Sequence, residues 1–142
     1  MEKKHSNTTD QFLRGKGVSI SELESMNISE STLQQVCVAE FARLYPVIAS
    51  KGLLFHVPNQ YAGKIIKHGT VKANGVCAGV SDLILLVPKK GYGCLCIELK
   101  TPVGVSSPEQ RAWGKAVESV GQKYVVCKSV KDFMREVNSY LR

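Results

Sequence analysis

No stretch of this chain stays apolar for long. The longest such runs, Val80 to Pro88 and Leu95 to Leu99, are broken or bounded by charge and fall far short of the roughly 20 residues that span a bilayer. A membrane segment is therefore not expected. The opening MEKKHSNTTDQF is polar and lacks the apolar run of a secretory signal, so a cytoplasmic protein is expected. The five cysteines, Cys37, Cys77, Cys94, Cys96 and Cys127, are odd in number and contain no CxxC pair, which argues against both a disulfide framework and a zinc knuckle. They read as reduced, mostly buried thiols. Gly75 and Gly79 are not followed by GK[ST], so no P-loop exists and ATPase or kinase-like chemistry is set aside. His5, His56 and His68 have no metal-ligand spacing, and His56 reads as a packed or hydrogen-bonded residue. Internal repeats are also missing.

What is present suits one domain: 142 residues, 44% hydrophobic and 22% charged. The net charge of +7 favours a polyanionic partner, nucleic acid ahead of an anionic membrane surface. Lys64, Lys67, His68 and Lys72 crowd a long Gly-punctuated connection after Val57, and Lys89 and Lys90 occupy a turn. Residues 1–28 read as a polar N-terminal arm with one short helix, and 29–142 as the folded domain. Ser31 and Gln34 resemble a capping box opening an amphipathic helix that carries Leu33, Val36, Cys37, Phe41, Leu44 and Ile48 and ends near Pro46 or Gly52. Leu53 to Val57 reads as a short strand. DLILLV (82–87) and CLCIELK (94–100) read as a hairpin buried on both faces. Ser107, Pro108 and Gln110 supply an N-cap, a first-turn proline and a capping-box glutamine for a helix stopped by Gly121. KYVVC (123–127) is a further strand, and Ser129 caps a last helix bearing Phe133, Met134, Val137, Tyr140 and Leu141. The expected fold is α/β: a mixed central sheet flanked by helices.

Side chains alternate along a strand, so Glu98 and Lys100 share one face while Ile97 and Leu99 point to the other. Closing the hairpin brings position 82 beside positions 98 to 99. Two carboxylates and an ammonium then converge at the same end of two apolar strands. Such groups are rarely buried unless paired or bound to metal. One reading is a strand-end salt bridge worth roughly 0 to 1 kcal/mol. The other is a divalent cation held by Asp82, Glu98 and a carbonyl such as that of Leu99, with Lys100 orienting or deprotonating an attacking water. Gln110 shares the sheet-facing side of its helix with Trp113 and Val117. It either completes the capping box or reaches the site, two roles that compete for one side chain. Glu40 falls on the flank of the first helix's apolar arc and needs a partner, either a basic side chain or the metal shell.

The string GVCAGVSDLILLVPKKGYGCLCIELKTPVGVSSPEQRAW, Gly75 to Trp113, resembles the VRR-NUC domain of the PD-(D/E)xK nuclease superfamily. The family pattern has a glycine-led "GvpDl" segment, a hairpin, a strand ending in E-x-K, and a Ser-x-x-Gln helix start followed by an aromatic and a glycine. Gly79 to Asp82, Glu98, Lys100, Gln110, Trp113 and Gly121 match it in order, and Glu40 and Asn59 resemble it upstream. Ser81 stands where the superfamily name promises proline, at a position that shapes the turn. The resemblance covers about residues 31 to 128. It implies a restriction-endonuclease-like fold and a DNA endonuclease using Mg²⁺ or Mn²⁺. Asp82, Glu98, Leu99 and Glu40 would lie about the metal, and Lys100 and Gln110 would serve the chemistry. Asn59, Lys64, Lys67, Lys72, Lys89 and Lys90 would contact DNA. Stand-alone phage or bacterial members further imply branched DNA, a Holliday junction or flap, in replication and repair. Cutting two strands across a junction implies a homodimer, with the last helix and the first as candidate interface material. The alternatives are a restriction-like or single-strand nuclease, and a module that binds DNA or assembles without cutting.

Overall fold

The computed structural model describes residues 13, 15, 17–58 and 74–142. The expected contacts at Asn59, Lys64, Lys67 and Lys72 lie outside them. In chain order the elements are α1 (Ile20–Ser25), α2 (Glu30–Leu44), α3 (Pro46–Ser50), β1 (Leu54–His56), β2 (Leu83–Leu85), β3 (Leu95–Leu99), α4 (Pro108–Ser119), β4 (Lys123–Cys127) and α5 (Val130–Leu141). The strands form one mixed sheet in the order β1-β2-β3-β4. The first two pairings are antiparallel and β3 with β4 is parallel. The α/β fold expected from sequence is the one found.

Burial explains why β3 is central. All five of its residues are buried, whereas β1 at the edge is half-exposed. On one face Leu83, Leu85, Leu95, Ile97, Leu99 and Cys127 meet Leu33, Val36 and Phe41 of α2 and Phe133 and Val137 of α5. On the other face lies α4. Gly114 permits this packing, because a Cβ there would stand 2.8 Å from the Tyr124 ring. Trp113 meets the same ring edge-on at 6.1 Å between centroids.

The stretch expected as an arm adds Leu13 and Leu23 to the core cluster, and Ser19 with Glu22 closes a capping box on α1.

Four local expectations need correction. Helix α2 is capped by Ser29, whose Oγ accepts from Thr32 N–H, and not by Ser31; extended backbone at Ser29 starts the helix earlier and puts Glu30 in its first turn. The helix ends at Leu44, and Pro46 opens a second short helix as far as Ser50, with Gly52 at φ +69° just beyond. The hairpin strands are shorter than the apolar runs, and Leu86 is exposed, because pairing stops where the chain turns toward Lys89 and Tyr92. Phe133, Val137 and Tyr140 are fully buried within the monomer, so the last helix spends its apolar side on the core and offers little to a dimer interface.

Candidate active site

Asp82 stands one residue before β2. Extending the register Leu83↔Ile97 by one position sets it opposite Glu98. Its Oδ2 accepts from the Leu99 N–H at 2.7 Å, so the side chain caps the ladder just where the strand ends. Two further bonds hold its carbonyl: Val57 N–H donates at 2.9 Å, and His56 Nδ1 lies at 2.8 Å. Because a carbonyl can only accept, Nδ1 carries the proton in this contact. His56 is thus hydrogen-bonded, as read from sequence, and its partner is the backbone of an acidic residue of the site. Gly79 at φ +84° shapes the approach, since a Cβ would overlap the Glu109 carbonyl at 2.2 Å. Only glycine lets the loop before Asp82 press against the first turn of α4. Ser81, in the proline position of the superfamily pattern, is buried and donates to the Leu83 carbonyl at 3.1 Å.

Glu98 is 1% exposed. Gln110 Nε2 donates to its Oε1 at 2.5 Å, while Oε2 is buried with no hydrogen-bond partner among the described residues. Burial, reinforced by the neighbouring Asp82 charge, pushes the Glu98 carboxyl up to about 8, with Lys100 pulling the other way. Lys100, itself buried, places Nζ 3.4 Å from Glu98 Oε1 and 3.8 Å from Glu30 Oε1. The predicted convergence of Asp82, Glu98 and Lys100 is therefore present in the geometry.

Gln110 does not have to choose between its two expected roles. Its Oε1 accepts from Ser107 N–H at 2.8 Å to close the capping box, and its amide nitrogen serves Glu98. Sequence reasoning missed Glu30, whose only signal is its place in the first turn after the true cap. Glu40 binds a basic partner instead: both its oxygens engage Arg43, at 2.5 and 3.0 Å. Helical rise sets Glu40 about 15 Å along the axis from Glu30. Among the described residues no third Asp, Glu, His or Cys joins Asp82 and Glu98 as a metal cluster. Lys89 and Lys90 lie in the β2–β3 turn, at the opposite end of the strands from the acids, and Lys90 Nζ donates to the Ser139 carbonyl at 2.6 Å.

The donor set fits a hard divalent cation. It offers two carboxylates, the Leu99 backbone between them, and one buried carboxylate oxygen that has lost water without gaining a partner.

The VRR-NUC domain model matches residues 28–131. A solved structure described as a VRR_NUC domain protein superposes with a TM-score of 0.70 at 22% identity, covering 82% of this chain and 90% of the other. No curated protein matches the chain. With a family model spanning most of its length and the fold shared, the chain belongs to the VRR-NUC family, a nuclease-type family.

Proposed function

We propose that this protein is a metal-dependent endonuclease that hydrolyses DNA phosphodiesters, acting on branched DNA such as a Holliday junction or flap in replication and repair. The observation that carries the reading is Glu98: a carboxylate 1% exposed, next to Asp82, with one oxygen lacking any partner among the described residues. A strand-end salt bridge explains Lys100 but leaves that oxygen without a hydrogen bond, at a cost of about 1 to 3 kcal/mol for a buried acceptor left unsatisfied. A cation removes the cost.

Asp82, Glu98 and the Leu99 carbonyl would hold Mg²⁺ or Mn²⁺; Glu40, occupied by Arg43, has no place in this set. Bound there, the cation would supply Lewis-acid activation of water and offset the charge gathering on phosphorus. The chain's own groups do the rest. Lys100, beside the acidic pair, would as the neutral amine take a proton from the attacking water, or as the ammonium orient that water and meet developing negative charge. Gln110 fixes the Glu98 carboxylate through its Oε1 and so leaves its Oε2 available to a cation. Asn59, Lys64, Lys67 and Lys72 supply contacts to DNA phosphates. Lys89 and Lys90 stand at the far end of the strands from the acidic pair. Two such sites are needed to cut a four-way junction symmetrically, which makes the working unit a homodimer.

Purified protein incubated with linear, flapped and four-way DNA, with and without Mg²⁺, tests the reading beside Asp82→Asn and Lys100→Ala. Cleavage of branched DNA that needs the cation, together with variants that bind but do not cut, is expected. Cutting by either variant at the wild-type rate removes the proposed site. Binding without cutting by the wild type makes the protein a DNA-binding module.

A further inference from the structure

Between β3 and α4 runs the segment Thr101–Ser106, TPVGVS, which leaves the site directly after Lys100 and returns to it at Ser107 and Gln110. Its two valines are the most exposed large apolar side chains among the described residues, Val103 at 85% and Val105 at 81%. The loop that presents them is tied down. Gly104 N–H donates to the Thr101 carbonyl at 2.9 Å, Lys128 Nζ donates to the Pro102 carbonyl at 3.4 Å, and the Arg111 guanidinium donates to the Ser106 carbonyl. Each end of the loop thus carries an exposed cation, and the tip between them is apolar.

We infer that the Val103–Val105 tip is a wedge that enters DNA where base stacking is interrupted, beside the phosphate to be cut. The inference rests on the endonuclease reading and deepens it by naming what the site selects. An apolar tip on the loop that joins Lys100 to the Gln110 helix gains nothing from phosphate. It gains by meeting base faces, and apolar side chains between base steps are a recurrent way of opening a stack. The flanking cations, Lys128 and Arg111, have the charge to hold the phosphates on either side of the opened step. Unstacking is costly in continuous duplex and cheap at a nick, flap or junction where the stack already ends. A tip of this chemistry therefore converts a shape defect into a preference. Charge complementarity favours nucleic acid over a protein partner: the apolar tip has a cation on both shoulders in a chain of net charge +7.

The test uses flapped and continuous duplexes carrying 2-aminopurine at the branch, titrated with the full chain in EDTA so that no cleavage is needed. Wild-type protein is expected to raise the fluorescence of the flapped probe severalfold. Val103→Ser with Val105→Ser should abolish that rise and weaken binding to the flap about tenfold while leaving linear duplex binding unchanged. Both side chains are exposed, so the double variant should melt with the wild type. Equal fluorescence and affinity for variant and wild type would overturn the wedge, and would leave the loop to a protein partner. Cutting that survives in a variant without unstacking loss sinks the inference alone. Unstacking by a wild type that never cuts sinks the endonuclease reading alone.

Discussion

The two faces of β3 are buried almost equally and are built from opposite chemistry. Under α2 and α5 lie Leu95, Ile97 and Leu99, at 0–1% exposure; toward α4 lie Cys96 and Glu98, at 2% and 1%, followed by Lys100. The first face gains from burial at about 25 cal/mol per Å² of apolar surface removed from water. The second loses by it, since a carboxylate and an ammonium surrender hydration that one 3.4 Å ion pair and one amide contact restore only in part. Equal burial thus stabilises the fold on one side and stores an unsatisfied acid on the other. One face is there for stability; the other carries the candidate site.

Substitutions on neighbouring residues of the strand break this comparison most sharply. Glu98→Gln should lower cleavage by at least about a thousandfold, yet leave the metal-free protein as stable as the wild type or more so, because a neutral amide replaces an acid whose ionisation burial and Asp82 oppose. Mg²⁺ should raise the melting temperature of the wild type and not of the variant. Ile97→Ala should do the reverse, costing about 2 to 5 kcal/mol in urea unfolding while the remaining folded enzyme keeps its turnover. A destabilised Glu98→Gln, or an inactive but stable Ile97→Ala, would show that the faces are not divided in this way.

A smaller effect belongs to Gln110, which joins the α4 cap to the acidic face. Gln110→Ala should cost about 1 kcal/mol of stability through the lost capping bond, and should lower cleavage about tenfold or more through a mobile Glu98. Glu98 contact and capping use opposite ends of one amide, so Gln110→Glu should retain the cap and lose the activity. Loss of stability with unchanged cleavage would reduce Gln110 to its capping role.

The same division explains what could be read from the sequence. Periodicities of 2 and 3.6 follow from backbone geometry, so the element order, the Ser107 cap and the shared side of Glu98 and Lys100 were legible. So was the approach of Asp82 to residues 98 to 99, because closing the hairpin brings those strand ends together, although the sequence left the register open by one residue. Pairings between residues far apart in sequence were not. Glu30 reaches Lys100 and His56 reaches the Asp82 carbonyl only after α2 and β1 have docked, and nothing local marks them. For Glu40 the sequence left two partners open, and of these the structure shows the basic side chain, Arg43 one turn on. Lys89 and Lys90 lie in the turn at the other end of the hairpin from the acids, a placement that charge counting does not give.

The smallest expected effect concerns the thiols, which sit on both faces and sharpen the comparison by reporting on each. Cys37 and Cys127 lie in the core beneath α2 and α5. Burial, with the Glu136 and Asp132 charges adding to it, pushes Cys127 from its ordinary value near 9 up to about 12, and burial raises Cys37 in the same direction. Native protein therefore keeps protons that the unfolded chain sheds once the pH passes about 9. Their stabilising contribution is complete below that pH and falls as pH climbs toward 12, by up to about 1.4 kcal/mol per pH unit for each thiol. Urea unfolding at pH 8, 9 and 10 should show the decline, and Cys127→Ala should lessen its slope. At pH 8 a chromogenic disulfide reagent should modify exposed Cys77 at once, half-buried Cys94 more slowly, and Cys37 and Cys127 only at the rate of opening. Cys96 is buried on the α4 face, so its labelling relative to that of Cys37 compares the two coverings directly. Because the α4 face is held partly by polar contacts and the other by a continuous apolar cluster, Cys96 should react before Cys37. Release of Cys37 first, or of both together, would mean that the two faces open as one unit and that the acidic side is no softer than the core.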